Sequence, residues 1–582
     1  MTRMTLFAAI GALLLPALAT AASDTITGTV TNGAGVAEAG VWVIAETDAL
    51  PTPYRKIVVT DDAGRFVLPQ MPAAEYTVWV RGYGLVDSER TAAAPGATLS
   101  LRVAAAEDAF EAALVYPANY WLTLFEPPPL AAFTASPTGG KGRLFDSAAG
   151  DAERDPFPSR RTWINQFKLD CVLCHQLGAA VTRLPNGAAF EHGFVKAAAM
   201  KYFADRLGAD RLVPALSQWG ARIAAGEVPA APPRPQGIER NIVITQWAWG
   251  DAYTYAHDEV ATDKRDPTVN AGGPVYGVDL ANDYLLMVDP DTHTASRIKV
   301  PTRDGFDTPW CEQTYQGFGD EQVKPFGFGS LGCPWPGGTT AHAGRYDNPA
   351  NPHNPMMDAD GRVWMTTQIR RQWAGDAPAF CRDDPVIANN RHHRQLGYYD
   401  PAAERFELID TCYGTHHLQF DRDGVVWTSG DDYVVGWFDP ARYDPARPAS
   451  LAAANGHSEV RLDTDGDGEA DRALVGFHYG VAPNLVDGSI WSAVTPGITS
   501  PAGEPGYLLR YDPPRDRHEA FAPPAPGMGP RGVDVDSQGR VWTALAGSGH
   551  LARFDRSRCE QTFGDGRQCA EGWTLWPTPG PA

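Results

Sequence analysis

A chain of 582 residues exceeds what one ordinary hydrophobic core supports, so at least two domains are expected. Its formal net charge is −21, and its lysines and arginines form no block, which excludes nucleic acid as a partner. Beyond the first twenty-two residues no run of about 18 apolar residues occurs, so no transmembrane segment is expected after signal cleavage.

Arg3, an apolar run from Leu6 to Leu18 and the small residues Ala19-Thr20-Ala21 before Ala22-Ser23 read as a secretory signal peptide over residues 1–22. The mature chain is then exported, periplasmic or secreted from a bacterium. Six of the eight cysteines lie in the second half. In an oxidising compartment an even number argues for disulfide bonds, and nearest-neighbour pairing joins Cys311 to Cys333, Cys381 to Cys412 and Cys559 to Cys569.

Between residues 24 and 106 polar and apolar residues alternate over Thr25 to Val30, Val41 to Glu46 and Tyr76 to Arg81, around turns such as Asp61-Asp62-Ala63-Gly64. This predicts a small all-β sandwich. The runs Gly28-Thr29-Val30, Ala39-Gly40-Val41-Trp42-Val43, Thr60 to Phe66 and Glu75 to Val80 resemble the carboxypeptidase regulatory-like (transthyretin-like) module. The resemblance implies a non-catalytic spacer or a carbohydrate-binding domain, and no nucleophile or metal cluster stands in this stretch.

A linker with Pro127-Pro128-Pro129 and Gly139-Gly140 leads into a helical domain over residues 120–228. A helix from Arg160 to Asp170 sets Trp163 and Phe167 on one face. It runs into Cys171-Val172-Leu173-Cys174-His175, two thiols three apart followed by an imidazole, the arrangement that holds one haem c covalently and ligates its iron through His175. A zinc site would need a second close ligand pair, and no other C-x-x-C occurs. A second helix from Asp210 to Ala225 carries Leu212, Leu216, Trp219 and Ile223 on one stripe, with Gly226 at the cap position. Two amphipathic helices flanking the motif resemble class I cytochrome c. That resemblance implies a methionine as sixth ligand, for which Met200 is the candidate. His192 is its rival, and an open position is the third case.

After Pro232-Pro233-Arg234-Pro235 a repeat begins, of strand, Asp-Gly turn and strand ending in Trp: Met356 to Trp364, Leu418 to Trp427, Asn484 to Trp491 and Val533 to Trp542. A third strand ends in Asp at Asp289, Asp400, Asp439, Asp512 and Asp555. Over residues 238–577 this predicts a β-propeller of six or seven blades, and the whole chain is multidomain and mainly β. The repeats resemble streptogramin (virginiamycin B) lyase-like propellers. The resemblance implies a magnesium-dependent lyase site with a His and a Glu at the central face. His353, His416, His417 and His478 stand just before inner strands, with Arg531 at the matching point of another blade, and form the candidate catalytic set. No Glu stands beside these points, and Trp427 is followed by Thr428-Ser429-Gly430-Asp431, a departure from the lyase pattern.

Asp463, Asp465, Asp467 and Asp471 supply oxygens at positions 1, 3, 5 and 9 of an EF-hand-type calcium loop, with a backbone carbonyl at Glu469 in position 7, Gly468 at position 6 and Leu474 in place of a Glu at position 12. The polar segment Ala256-His257-Asp258-Glu259 stands out without an assigned role. Three function classes follow from these motifs: haem-dependent electron transfer with a small-molecule substrate or redox partner protein on the propeller, a lyase or hydrolase with a structural haem, and a binding protein without turnover.

Overall fold

The computed structural model describes residues 24–134, 160–171, 176–194, 204, 207–251, 254–280, 282–303, 315–316, 322–323, 350–369, 378–384, 394–430, 434–473, 478–495 and 505–578. The signal segment, Cys174, His175, Met200, Cys311, Cys333 and Leu474 lie outside these residues. The chain divides into two compact units, one of residues up to Ala106 with Pro233–Gln246, the other of Glu107–Pro232 with Trp247 onward.

In the first unit β1 (Ile26–Asn32), β2 (Trp42–Thr47), β3 (Tyr54–Val59), β4 (Arg65–Leu68), β5 (Tyr76–Arg81), β6 (Thr91–Ala93) and β7 (Thr98–Val103) form two sheets. One has the order β4-β1-β7, the other β6-β5-β2-β3. Alternation sends Val43, Val58, Val78 and Val80 into the core with Ile26, Val30 and Phe66. The Asp61 carboxylate accepts from the amides of Ala63 and Arg65, closing the turn in which Gly64 takes φ +68°. The sequence reading begins the propeller at residue 238. Instead β8 (Val243–Trp247) extends the second sheet next to β3, and the first blade strand is Ala256–Val260. An alternating strand carries no mark of which sheet it joins, so this was not legible from its own residues.

In the second unit the helices Arg160–Cys171, Gly187–Phe194 and Ala209–Ala224 share a core of Trp163, Phe167, Phe190, Leu212, Leu216 and Trp219. Trp163 stacks on Phe167 at 5.3 Å, and Phe167 on Phe125 at 4.6 Å. The indole N–H groups of Trp163 and Trp219 donate to the carbonyls of Leu207 and Trp121, so both rings are buried without losing a polar partner. Gly226 closes the last helix in a left-handed conformation, φ +94°.

Four four-stranded antiparallel sheets and one six-stranded sheet follow among the described residues, with inner strands Ala256–Val260, His353–Met357, His417–Phe420, His478–Pro483 and Pro530–Val535; the fourth of the five gains Arg461–Leu462, which runs parallel to Arg517–Phe521, and Arg472–Ala473. Consecutive inner strands lie side by side from the first to the fifth. The Asp-Gly turns and Trp residues of the repeat act together. Asp358, Asp421 and Asp536 each accept from turn amides and from the indole of Trp364, Trp427 and Trp542, at 2.8, 2.8 and 2.9 Å. The Asp ending the third strand caps the next turn: Asp289, Asp400, Asp439 and Asp555 accept from amides two residues on. Disulfides join Cys381 to Cys412 and Cys559 to Cys569. Among the described residues no helix is long and apolar enough to cross a membrane.

Candidate functional site

A bulge interrupts four of the five inner strands near its start, and the residue that bulges is left-handed: Asp258 at φ +60°, Asn354 at +46°, Gly480 at +72° and Gly532 at +71°. Asp, Asn and Gly tolerate that conformation better than other residues. The bulge redirects the side chain just before it, which is His257, His353, Tyr479 and Arg531 in turn. The third blade contributes His416 and His417 at the same level.

These side chains form a continuous string. Ring centroids are 4.7 Å apart from His257 to His353, from His353 to His416 and from His416 to His417. Tyr479 lies 4.3 Å from His417 and 5.3 Å from His416, and the Arg531 guanidinium sits 4.3 Å above Tyr479. A belt of hydrogen bonds between blades holds the string: the Asn354 amide donates to Asp258, the Leu418 amide to Asn354 and the Gly480 amide to His417 Nδ1.

Of the sequence candidates, His353, His416, His417 and Arg531 come together here. His478 does not. It begins the fourth inner strand fully buried, with neither ring nitrogen hydrogen-bonded, and Tyr479 takes its place because of the bulge at Gly480. His257 and Tyr479 were missed as site residues. The signal that could have found them is the Asp, Asn or Gly that follows: His257-Asp258, His353-Asn354, Tyr479-Gly480 and Arg531-Gly532.

The hydrogen bonds assign proton positions. A backbone amide only donates, so His417 Nδ1 accepts and its Nε2 carries the proton. Arg394 Nη1 lies 2.8 Å from His416 Nδ1, and a guanidinium only donates, so His416 also carries its proton on Nε2. Burial, reinforced by Arg394 and the neighbouring imidazoles, holds His353 well below the usual imidazole range. Burial does the same to His417, with His416 adding to it and Asp258 opposing. Both are therefore neutral at physiological pH. Asp258 Oδ2 lies 2.9 Å from His257 Nδ1. Burial pushes that carboxyl upward, but the contact with His257, with His417 and the Asn354 amide, outweighs it and keeps Asp258 ionised. The site thus offers a carboxylate-oriented imidazole, a row of N–H donors, a phenol and two guanidiniums.

The imidazoles are strung out and do not surround a point. Among the described residues, the three groups whose ligand atoms lie within 4.8 Å of one another are Asp463, Asp465 and Asp467 in the acidic loop. There Gly466, at φ +87°, leaves room for the Phe563 ring. Asp471 turns away to accept from the Thr464 hydroxyl at 2.7 Å, and Glu469 stands outside the group of three. Of the haem motif, Cys171 is described. It ends the Arg160–Cys171 helix at the edge of the aromatic core, so its thiol borders an apolar surround suited to a porphyrin. His192 is exposed on the Gly187–Phe194 helix.

Sheets whose inner strands lie side by side, with polar side chains gathered where those strands begin, define a β-propeller with an axial site. Solved structures similar to this chain include a catalytically inactive virginiamycin B lyase from Staphylococcus aureus with quinupristin, at 11% identity over 56% of this chain and 72% of that one, TM-score 0.32. A gluconolactonase from Xanthomonas campestris is similar at 17% identity, over 57% and 80%, TM-score 0.27. A streptogramin B lyase structure is similar at 11% identity, over 54% and 89%, TM-score 0.25. No protein-family model matches the chain, and no curated protein matches it.

Proposed function

We propose that the chain is an exported c-type haem protein that binds an anionic or phenolic substrate at the propeller axis and exchanges electrons with it or with a redox partner. The observation that carries the reading is the axial string itself. Nε2–H groups of His416 and His417, with Arg394 and Arg531, can hold a substrate oxygen, and His257, oriented by Asp258, can accept the proton of a bound hydroxyl. Cys171, Cys174 and His175 would hold the haem, with Met200 or His192 as candidates for the sixth position. When bound, the haem supplies one-electron chemistry.

The helix that leads into the motif supports the pairing of the two parts. Leu169 packs so closely on Gly529, two residues before Arg531, that a Cβ on Gly529 would come within 3.1 Å of Leu169 Cδ2. The motif therefore follows a helix seated beside the axial end of the fifth blade. Calcium on Asp463, Asp465 and Asp467, with Glu469 and Asp471 as further oxygen donors, belongs to the same reading as a structural ion.

Reduced-minus-oxidised spectra and a midpoint potential on the mature protein test the redox half. Reversible haem bands support it, and their absence from a chain matured in a cytochrome c-competent host overturns it. The second reading is a lyase or hydrolase, favoured by the Asp258–His257 pair, which is the arrangement of a general base. Turnover that survives complete reduction and oxidation of the haem unchanged would favour it.

A further inference from the structure

One face of the five-stranded sheet in the first unit is built unlike a spacer's surface. Trp42 and Glu46 on β2, Arg55 on β3, Trp79 and Arg81 on β5, and Arg90 before β6 line a hollow of about 520 Å³. Strand register brings them together, with Glu46 opposite Arg55 and Trp42 opposite Arg81. At the centre the Glu46 carboxylate takes four donors: Arg55 Nε at 3.1 Å and Nη2 at 2.9 Å, Trp79 Nε1 at 3.0 Å and Arg90 Nη1 at 3.0 Å. Arg81 and Arg90 both lie over the Trp79 ring, at 4.9 and 4.8 Å, and Asp87 grips Arg81 through two bonds.

The arrangement fixes the planes of three guanidiniums while leaving their side chains 47%, 42% and 57% exposed for Arg55, Arg81 and Arg90. Each guanidinium has five N–H donors, and the bonds to Glu46 and Asp87 use only some of them. The same hollow is lined by Trp42, Ile44, Ile57 and Ile244, so the guanidiniums border an apolar surface. Pre-positioned guanidiniums beside an aromatic ring match a carboxylate carried on a ring: the forked donors take the carboxylate, and the ring's apolar side rests on the indole. The positive set also stands out on a chain whose net charge is −21. A plain surface network of ion pairs would contribute little to stability and would not need a hollow.

We propose that this face binds a carboxylated ring compound, either a uronate unit of an acidic polysaccharide or an aryl carboxylate. Calorimetric titration of the mature full-length protein tests it with digalacturonate, with benzoate and with the methyl ester of each. Binding of either acid and not of its ester is expected, and the acid that binds names the source. Arg55→Gln and Arg90→Gln should each weaken that binding about tenfold or more, with Trp79 still bonded to Glu46 and the melting temperature within a few degrees of wild type. The proposal fails if neither acid binds at concentrations up to about 1 mM, if esters bind as well as acids, or if both arginine variants bind like wild type while melting normally.

Discussion

At the scale of single residues, the aspartate of three blade turns, Asp358, Asp421 and Asp536, and the tryptophan six positions on are one device. Asp536 accepts from the amides of Gln538 and Arg540, from Arg540 Nε and from the Trp542 indole. Burial pushes its carboxyl upward, but these donors outweigh burial and hold it well below the usual carboxylate range. Its contribution is therefore present at neutral pH and lost as pH falls below the carboxylate range. Asp536→Ala strands several donors at once, so it should cost about 1–3 kcal/mol in denaturant unfolding at pH 7. Asp536→Asn should recover part of that loss, because its amide oxygen still accepts from the turn. The same residue scale explains why two of the six side chains in the axial string, His257 and Tyr479, escaped notice. His257, His353, Tyr479 and Arg531 have no residue type in common; what recurs is the left-handed residue after each. A search for chemically alike side chains selects His478 and passes over Tyr479.

At the scale of elements, the blades bury uncharged imidazoles. His478, fully buried, is held down to about 3 by burial and then by His518, and His518 to about 4 by burial against the opposing Asp516. An unfolded histidine takes up its proton near pH 6.5, whereas these folded ones refuse it until far lower. Stability should thus fall as pH drops below about 6.5, by about 2 kcal/mol for His478 alone at pH 5. Urea midpoints measured at pH 7.5 and 5 check this, and His478→Asn should flatten the difference. The acidic loop, on the proposed calcium reading, is the opposite kind of element, one that would gain from a cation. Asp463, Asp465 and Asp467 place like charges within 4.8 Å, so calcium should raise the melting temperature and a chelator lower it. An unchanged melt in both conditions would leave the loop as surface. Elements governed by local pattern were legible in the sequence. The stripe of Leu212, Leu216, Trp219 and Ile223 is buried on a helix within one residue of its expected ends, and Trp163 and Phe167 stack as their spacing requires. Two disulfides join sequence neighbours, as short loops favour. β8 was not legible, because its partner β3 lies far back in the chain.

At the scale of the whole molecule, the haem reading makes one demand that needs no substrate. Both thiols of the motif must bond the porphyrin, so the colour should stay with the chain through denaturing electrophoresis and stain for haem peroxidase activity. Cys171→Ala should reduce that stain, and a wild-type chain that loses it on denaturation would exclude covalent attachment. Met200→Ala should abolish a near-red sulfur-to-iron band if Met200 is the sixth ligand, and His192→Ala should leave that band intact.

The first unit is discontinuous in sequence: β8 completes a sheet begun before residue 106, and the helical stretch lies between the two parts. If the chain is exported amino terminus first, as the proposed reading has it, Cys171 to His175 emerge before the strand Val243–Trp247. On the proposed haem reading, attachment could then occur while the first sheet still has β3 as an open edge. A maturation apparatus would meet a thiol pair on a chain whose flanking module is unfinished, and closure of that module would come afterwards as the step that sequesters the edge from other chains.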